Sequence, residues 1–162
     1  MRALFTVSFF AALLSGSAAF ASTGPCGVAT KAEVARVLGG PSVDVPASEI
    51  GEETAPTCLW ATAERKAQVQ ITIWSRDELP VLGIADAESY FAKLKAEFTA
   101  RGPVAPLAGL GEQAFAAGFV PATAKADGAI VVLKAGRVIV FDFVRVFTRN
   151  ARAFAASVIG RL

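Results

Sequence analysis

The chain has 162 residues, a formal net charge of +2 and no histidine, and 54% of its residues are hydrophobic. The high apolar content excludes an intrinsically disordered chain, and the basic residues are too evenly spread among acidic ones to indicate a nucleic-acid surface. The absence of histidine excludes Ser-His-Asp and Cys-His catalysis and the usual zinc sites.

Residues 1–21 have the layout of a secretory signal peptide. A basic residue follows the initiator methionine, residues 3–14 form an uncharged and mostly apolar run, and residues 19–21 are an A-x-A cleavage site. The apolar run is shorter than the ~20 residues that a membrane-spanning helix needs. We therefore expect cleavage after Ala21, a periplasmic or secreted location, and one domain over residues 22–162.

The mature chain keeps two cysteines, Cys26 and Cys58. Because exported proteins fold in an oxidising compartment, this even number predicts a disulfide bond between them. The alternative is a redox-active thiol pair, but the wide spacing differs from C-x-x-C. The bond would close a loop of about 30 residues and contribute roughly 3–4 kcal/mol of stability by loop entropy.

A helix is predicted over residues 30–38. Thr30 and Glu33 match the T-x-x-E capping box, in which each side chain accepts a hydrogen bond from the other residue's backbone N–H. Gly39 ends the helix. Residues 41–56 are polar and contain proline, so they predict a loop.

The next segment predicts a β-hairpin with strands at residues 58–63 and 67–75. The apolar sides of the two strands coincide when Leu59 lies opposite Ile71, and a slip of one residue would separate them. In this register the other face carries amides, hydroxyls and both tryptophans of the chain. The residues of this face are Trp60, Thr62, Gln68, Gln70, Thr72 and Trp74.

Asp86 is the predicted N-cap of a second helix that reaches about residue 100. Apolar side chains recur on one side of it at helical spacing, which predicts a stripe that faces the core. The stripe consists of Tyr90, Phe91, Leu94 and Phe98.

The last third of the chain predicts three strands and a helix. Residues 106–115 lead into a strand that continues to Phe119, and residues 129–134 and 137–147 form a hairpin. Asn150 is the predicted cap of the final helix. The order α-β-β-α-β-β-β-α predicts a two-layer α+β domain, with a roughly five-stranded antiparallel sheet and three helices on one face.

Three short motifs add a resemblance. They are P-C-G-x-x-T-K-A-E-V at residues 25–34, C-x-W at residues 58–60 and G-L-G-E-Q-A-F at residues 109–115. With them the chain resembles small bacterial exported α+β domains of unknown function, many of them actinobacterial lipoproteins. The resemblance implies that the matching cysteines pair and that the G-L-G segment leads into a core strand. It supplies no catalytic residues. Cys26 follows Thr23-Gly24-Pro25, a poor match to a lipid-accepting site, so we expect a chain without a lipid anchor.

Carboxylates are the remaining candidates for chemistry. Asp142 interrupts an apolar run, and it is interpreted either as an acid with a raised pKa or as a residue of a solvated sheet face paired with Arg137 or Arg145. Neighbouring acids could in principle serve glycoside hydrolysis, but surface solvation or helix capping is the favoured explanation. These acids are Glu52, Glu53, Asp77, Glu78, Asp86 and Glu88.

The sequence therefore favours a non-catalytic exported domain. Its expected partner is an envelope protein or a glycan, bound through the hairpin face that carries Trp60 and Trp74, with no cofactor, metal or nucleic acid. Two alternatives remain open. One is a histidine-free hydrolytic enzyme that uses carboxylates, and the other is a purely structural accessory or inhibitor module.

Overall fold

The computed structural model describes residues 25–45, 56–119 and 125–162, so the predicted signal peptide and the Glu52-Glu53 pair lie outside the described residues. In these ranges seven strands form one antiparallel sheet with the order β1-β2-β3-β7-β6-β5-β4. The strands are β1 Ser42–Val45, β2 Thr57–Thr62, β3 Gln68–Trp74, β4 Val104–Pro106, β5 Gln113–Ala117, β6 Lys125–Lys134 and β7 Arg137–Phe147. The helices are α1 Lys31–Leu38, α2 Ala87–Arg101 and α3 Thr148–Ile159.

The α+β class is confirmed, but the strand number is higher than the predicted five. The two additional strands, β1 and β4, are the edge strands of the sheet, with four and three residues. Each lies in a segment with proline, and Pro106 is itself the last residue of β4. Short, proline-bearing strands are usual at edges, because an edge strand needs only one partner. Such strands are difficult to distinguish from loops in a sequence.

Both predicted N-terminal caps of α1 and α2 are confirmed. The Glu33 backbone N–H donates to Thr30 Oγ1 over 3.2 Å, and the Thr30 N–H donates to the Glu33 carboxylate over 2.9 Å. The Ser89 N–H donates to Asp86 Oδ1 over 2.7 Å. The predicted Asn150 cap is wrong. Helix α3 begins at Thr148 directly after β7, so no intervening loop offers a capping position.

The helices cover both faces of the sheet, so the prediction of three helices on one face is wrong. Alternate residues of β7 belong to different cores: Phe141 packs with α1 and α3, whereas Val140 packs with α2. We call the two surfaces the α1/α3 face and the α2 face. The continuous apolar run at residues 138–141 explains this arrangement, because it is typical of a strand that is buried on both sides.

The predicted hairpin of β2 and β3 is confirmed, but its register is wrong by one residue. Cys58 lies opposite Ile71 and Trp60 lies opposite Val69. Strand β2 is apolar on both faces, since Leu59 and Trp60 are both buried, so alternation alone does not select a register.

The G-L-G segment approaches the sheet closely, as its glycines predict. Gly111 has a φ of 60°, and a Cβ atom added there would lie 2.5 Å from the Leu133 carbonyl oxygen. The next residue pairs with the same carbonyl, because the Glu112 N–H donates to it over 2.9 Å. Any side chain at position 111 would therefore push the segment away from β6.

A hydrogen-bonded ion pair fastens the C-terminus to the start of α1. Arg161 Nη1 lies 2.7 Å from Glu33 Oε1, and Arg161 Nη2 donates to the Val28 carbonyl over 2.7 Å. Ser157 also donates to the Glu33 carboxylate. The Arg161 guanidinium lowers the pKa of Glu33 to about 2, against the opposing effect of burial. These contacts join α1 and α3 over the same face.

The disulfide bond between Cys26 and Cys58 is present, with the two Cα atoms 5.1 Å apart. Replacing Cys26 with Ala should lower the free energy of unfolding by about 2–5 kcal/mol, because the bond no longer restricts the unfolded chain. Denaturant unfolding measures the change. Cys26 is exposed, so this variant removes the bond without making a cavity in the core. A stability equal to that of the oxidised wild type would contradict the prediction.

Replacing Glu33 with Gln should destabilise the protein by about 1.5–3 kcal/mol at pH 7, the usual net contribution of a hydrogen bond to a charged group. The folded-state pKa is lowered from 4.5 to about 2, so the carboxylate stabilises the fold fully above pH 4.5 and loses this effect as the pH falls towards 2. The free energies of unfolding of wild type and variant should therefore converge as the pH falls through that range. A difference in unfolding free energy that stays constant with pH would exclude a titrating Glu33 as the cause.

Candidate functional site

The structure divides the predicted binding face between the two sides of the sheet. Trp60 is only 3% exposed and packs in the core below α1 and α3. Thr62 has a local role, since its hydroxyl accepts hydrogen bonds from the Lys66 and Ala67 backbone N–H groups in the hairpin turn. The predicted band of two exposed tryptophans is therefore wrong, because the one-residue change of register places Trp60 on the opposite face from Trp74.

Trp74 lies on the α2 face and is half-buried there. Its ring packs edge-on against Tyr90 of α2, with ring centroids 6.0 Å apart. Burial, and secondarily the charge of Glu97, raises the pKa of the Tyr90 phenol. The start of α2 thus shields Trp74, and this indole is an unsuitable centre for a binding surface.

Three of the predicted residues remain together on the α2 face: Gln68, Gln70 and Thr72, which we call the β3 row. Helix α2 packs over β4 to β7 and leaves the row uncovered by any helix of the described residues. The Gln68 side-chain amide donates to the Arg65 carbonyl over 3.3 Å, and the Thr72 hydroxyl lies 3.0 Å from that of Thr57. Gln68 and Gln70 are partly exposed, whereas Thr72 is buried, with 7% of its surface exposed.

A cleft of about 490 Å³ lies beside the β3 row, where the C-terminal end of α2 meets β5, β6 and β7. Its walls are mostly apolar, and its charged residues are Arg101, Asp127 and Asp142. This volume falls in the range of sites that take a small ligand or a side chain of a partner. The lining includes Phe98, Arg101, Asp127, Asp142, Phe143 and Val144.

The cleft and the β3 row form one continuous surface. Gln70 lies opposite Asp142 in the sheet, and Gln68 lies opposite Val144. Asp142 is half-buried at this junction. Of its predicted partners, Arg137 lies five positions away along β7, about 16 Å at the usual rise of a strand, so the predicted pair with Arg137 is wrong.

A β-bulge shapes the wall of the cleft between β6 and β7. The register shifts between Ala126 and Gly128, and Arg145 adopts a left-handed backbone with a φ of 54°. The Arg145 backbone N–H donates to Asp127 Oδ1 over 2.8 Å, which holds the bulge in place. Bulges occur often beside binding sites because they redirect side chains.

The sequence interpretation did not identify Arg101 or Asp127, and it considered Arg145 only as a possible partner of Asp142. The sequence does indicate an irregularity at this place, because the pair Asp127-Gly128 comes directly before the apolar part of the strand. Gly128 is required by close packing, because an added Cβ atom would lie 2.7 Å from the Ala117 carbonyl oxygen. No local pattern brings Arg101 to this place, which depends on the direction of α2 across the sheet.

Two of the other predicted acids, Glu78 and Asp86, have structural roles. Glu78 accepts hydrogen bonds from the backbone N–H and the hydroxyl of Ser75, over 2.7 and 2.6 Å. Asp86 caps α2, and this hydrogen bond lowers its pKa. In the described ranges no three carboxylates or cysteines converge as a metal site would require.

Comparisons of the chain with protein-family models, with curated proteins and with solved structures find no match in any of the three. Among the described residues no helix has both the length and the apolar composition needed to cross a membrane. The function must therefore be inferred from the chemistry of the surface itself.

Replacing Trp60 with Ala should lower the free energy of unfolding by about 3–5 kcal/mol, because a buried indole leaves a cavity. Replacing Trp74 with Ala should have a smaller effect, since Trp74 is half-buried at the border of α2. Denaturant unfolding of both variants measures the difference. Equal losses, or a larger loss for Trp74, would contradict the register that places Trp60 in the core.

Proposed function

We propose that this chain is an exported binding domain that recognises a protein or another envelope component through the β3 row and the adjoining cleft. The observation that carries the proposal is the continuity of two features on one surface that no helix of the described residues covers. Gln68 and Gln70 offer hydrogen-bonding amides, and the cleft beside them offers apolar walls. Surfaces that bind partners commonly combine an apolar pocket with a polar surround.

The disulfide bond supports an environment outside the cytoplasm, because such bonds persist in oxidising compartments. Export by the predicted signal peptide would place the domain there. The α1/α3 face is filled by core side chains and two helices, so it offers less free sheet surface than the α2 face. We therefore assign binding to the α2 face.

A second candidate function is hydrolysis by carboxylates. The observation in its favour is that Asp127 and Asp142 line the same cleft. The observation against hydrolysis is that one Asp127 oxygen already accepts a hydrogen bond from the Arg145 backbone N–H. Turnover of chromogenic glycosides or esters by the purified protein, abolished by Asp142→Asn, would favour the enzyme over the binding domain.

A photo-crosslinking amino acid placed at Gln70 should form an adduct with the partner in cells that export the protein. The same probe at Val81 is the control, because Val81 is 86% exposed and lies outside this surface. Val144→Glu should abolish the Gln70 adduct by placing a bulky charge in the cleft, whereas Val81→Glu should preserve it. Adducts of equal yield at both probe positions would contradict the proposed surface.

A further inference from the structure

The charges of the described residues are unevenly distributed along the sheet. At the end where β7 and α2 finish, the exposed basic side chains of Arg101, Lys125, Arg145 and Arg149 form what we call the basic rim. At the end where β3 finishes and α2 begins, acidic residues predominate, and these are Asp77, Glu78, Asp86 and Glu88. The cleft opens at the basic end, because Arg101 belongs to its lining.

The basic rim borders a cleft that also holds the carboxylates of Asp127 and Asp142. The ion pairs Lys66–Glu64 and Arg161–Glu33 of the described residues involve none of its four cations. Arg101 lies over Phe98, and Lys125 and Arg149 both lie over Phe147, at 5.6 and 5.7 Å from the ring centroid. Contacts with aromatic rings keep these cations ordered while their charges stay accessible. The rim therefore attracts negative charge.

The backbone conformation of Arg145 is a second, independent reason to assign a function to the basic rim. A left-handed backbone is unfavourable for an L-residue other than glycine, yet a long cationic side chain occupies this position of the bulge. The hydrogen bond that holds the bulge is donated by the Arg145 backbone N–H, which any residue other than proline could supply. Strain retained at an exposed residue beside a cleft indicates a function for that side chain.

We infer that the surface binds an acidic protein segment, with one apolar side chain of the segment inserted into the cleft and its carboxylates paired with the basic rim. This inference rests on the proposed binding function. Phe98 and Val144 line the cleft with apolar side chains, whereas the Phe143 side chain is buried in the core of the α1/α3 face. This apolar lining suits a side chain. The amides of the β3 row lie beside it and can pair with the backbone of the segment.

A membrane surface fits the same charges less well. A domain that docks on anionic lipid needs apolar side chains beside its cations. Val144 adjoins the rim, but it is 36% exposed and a single valine offers little apolar surface to insert. The more exposed residues Val81 and Leu82 precede α2, at its other end. Helix α2 has 15 residues and so spans about 22 Å, which separates these residues from Arg101.

The test uses the full mature chain and a fluorescein-labelled peptide of alternating Glu and Leu, with fluorescence anisotropy as the measurement. The peptide should bind, its affinity should fall as salt is added, and a matched Lys and Leu peptide should fail to bind. Arg101→Gln and Arg145→Gln should each weaken binding about two- to fivefold, the usual effect of one exposed ion pair. Arg137→Gln, at the opposite end of β7, should leave the affinity unchanged.

Arg145→Gly separates recognition from folding. It should weaken peptide binding as Arg145→Gln does while the melting temperature stays equal or rises, because glycine relieves the left-handed backbone. A purely structural arginine would instead show a lower melting temperature with unchanged affinity.

Equal binding of the two peptides, or tighter binding to phosphatidylglycerol vesicles, would overturn the acidic-segment inference. The proposed function has a separate readout. If the Gln70 adduct persists in the Arg101→Gln and Arg145→Gln variants, the surface binds a partner that is not acidic. If the Gln70 adduct itself is absent, the proposed function fails.

Discussion

The rest of the structure depends on the burial of the β6 and β7 hairpin on both of its faces. These two strands are the longest in the sheet, and β7 lies between β6 and β3. Phe141 has no exposed surface on one side and Val138 has none on the other. A sheet with two apolar faces must be covered twice, so α1 and α3 pack on one face and α2 on the opposite face. The three layers follow from this requirement.

The two layers of helices are fastened in different ways. On the α1/α3 face, the disulfide bond and the Glu33–Arg161 pair tie both ends of the described chain to the sheet. On the α2 face a single helix is held by apolar packing, chiefly of Phe91 against Phe115. One helix is too narrow to cover seven strands. The uncovered remainder is the surface on which both the β3 row and the cleft lie.

The cleft combines features that have no evident purpose in stability. The bulge at Arg145 introduces an unfavourable backbone conformation, and Asp142 places a carboxylate within an otherwise apolar strand. Proteins retain such features where the local structure serves recognition or chemistry. The concentration of basic side chains around the same opening is the basis for proposing an acidic partner.

The local elements were predictable from the sequence, because the Thr30–Glu33 box, the Asp86 cap and the hairpin turn at Ala135-Gly136 depend only on neighbouring residues. The sequence also determined the disulfide, because only two cysteines follow the predicted leader. The register of β2, the side on which α2 packs and the two edge strands were decided by tertiary structure. The physical reason is that β2 and β7 are apolar on both faces, so alternation cannot assign a side, and the choice falls to packing between distant segments. The same packing brings Arg101, Asp127 and Asp142 into one cleft although they are far apart along the chain.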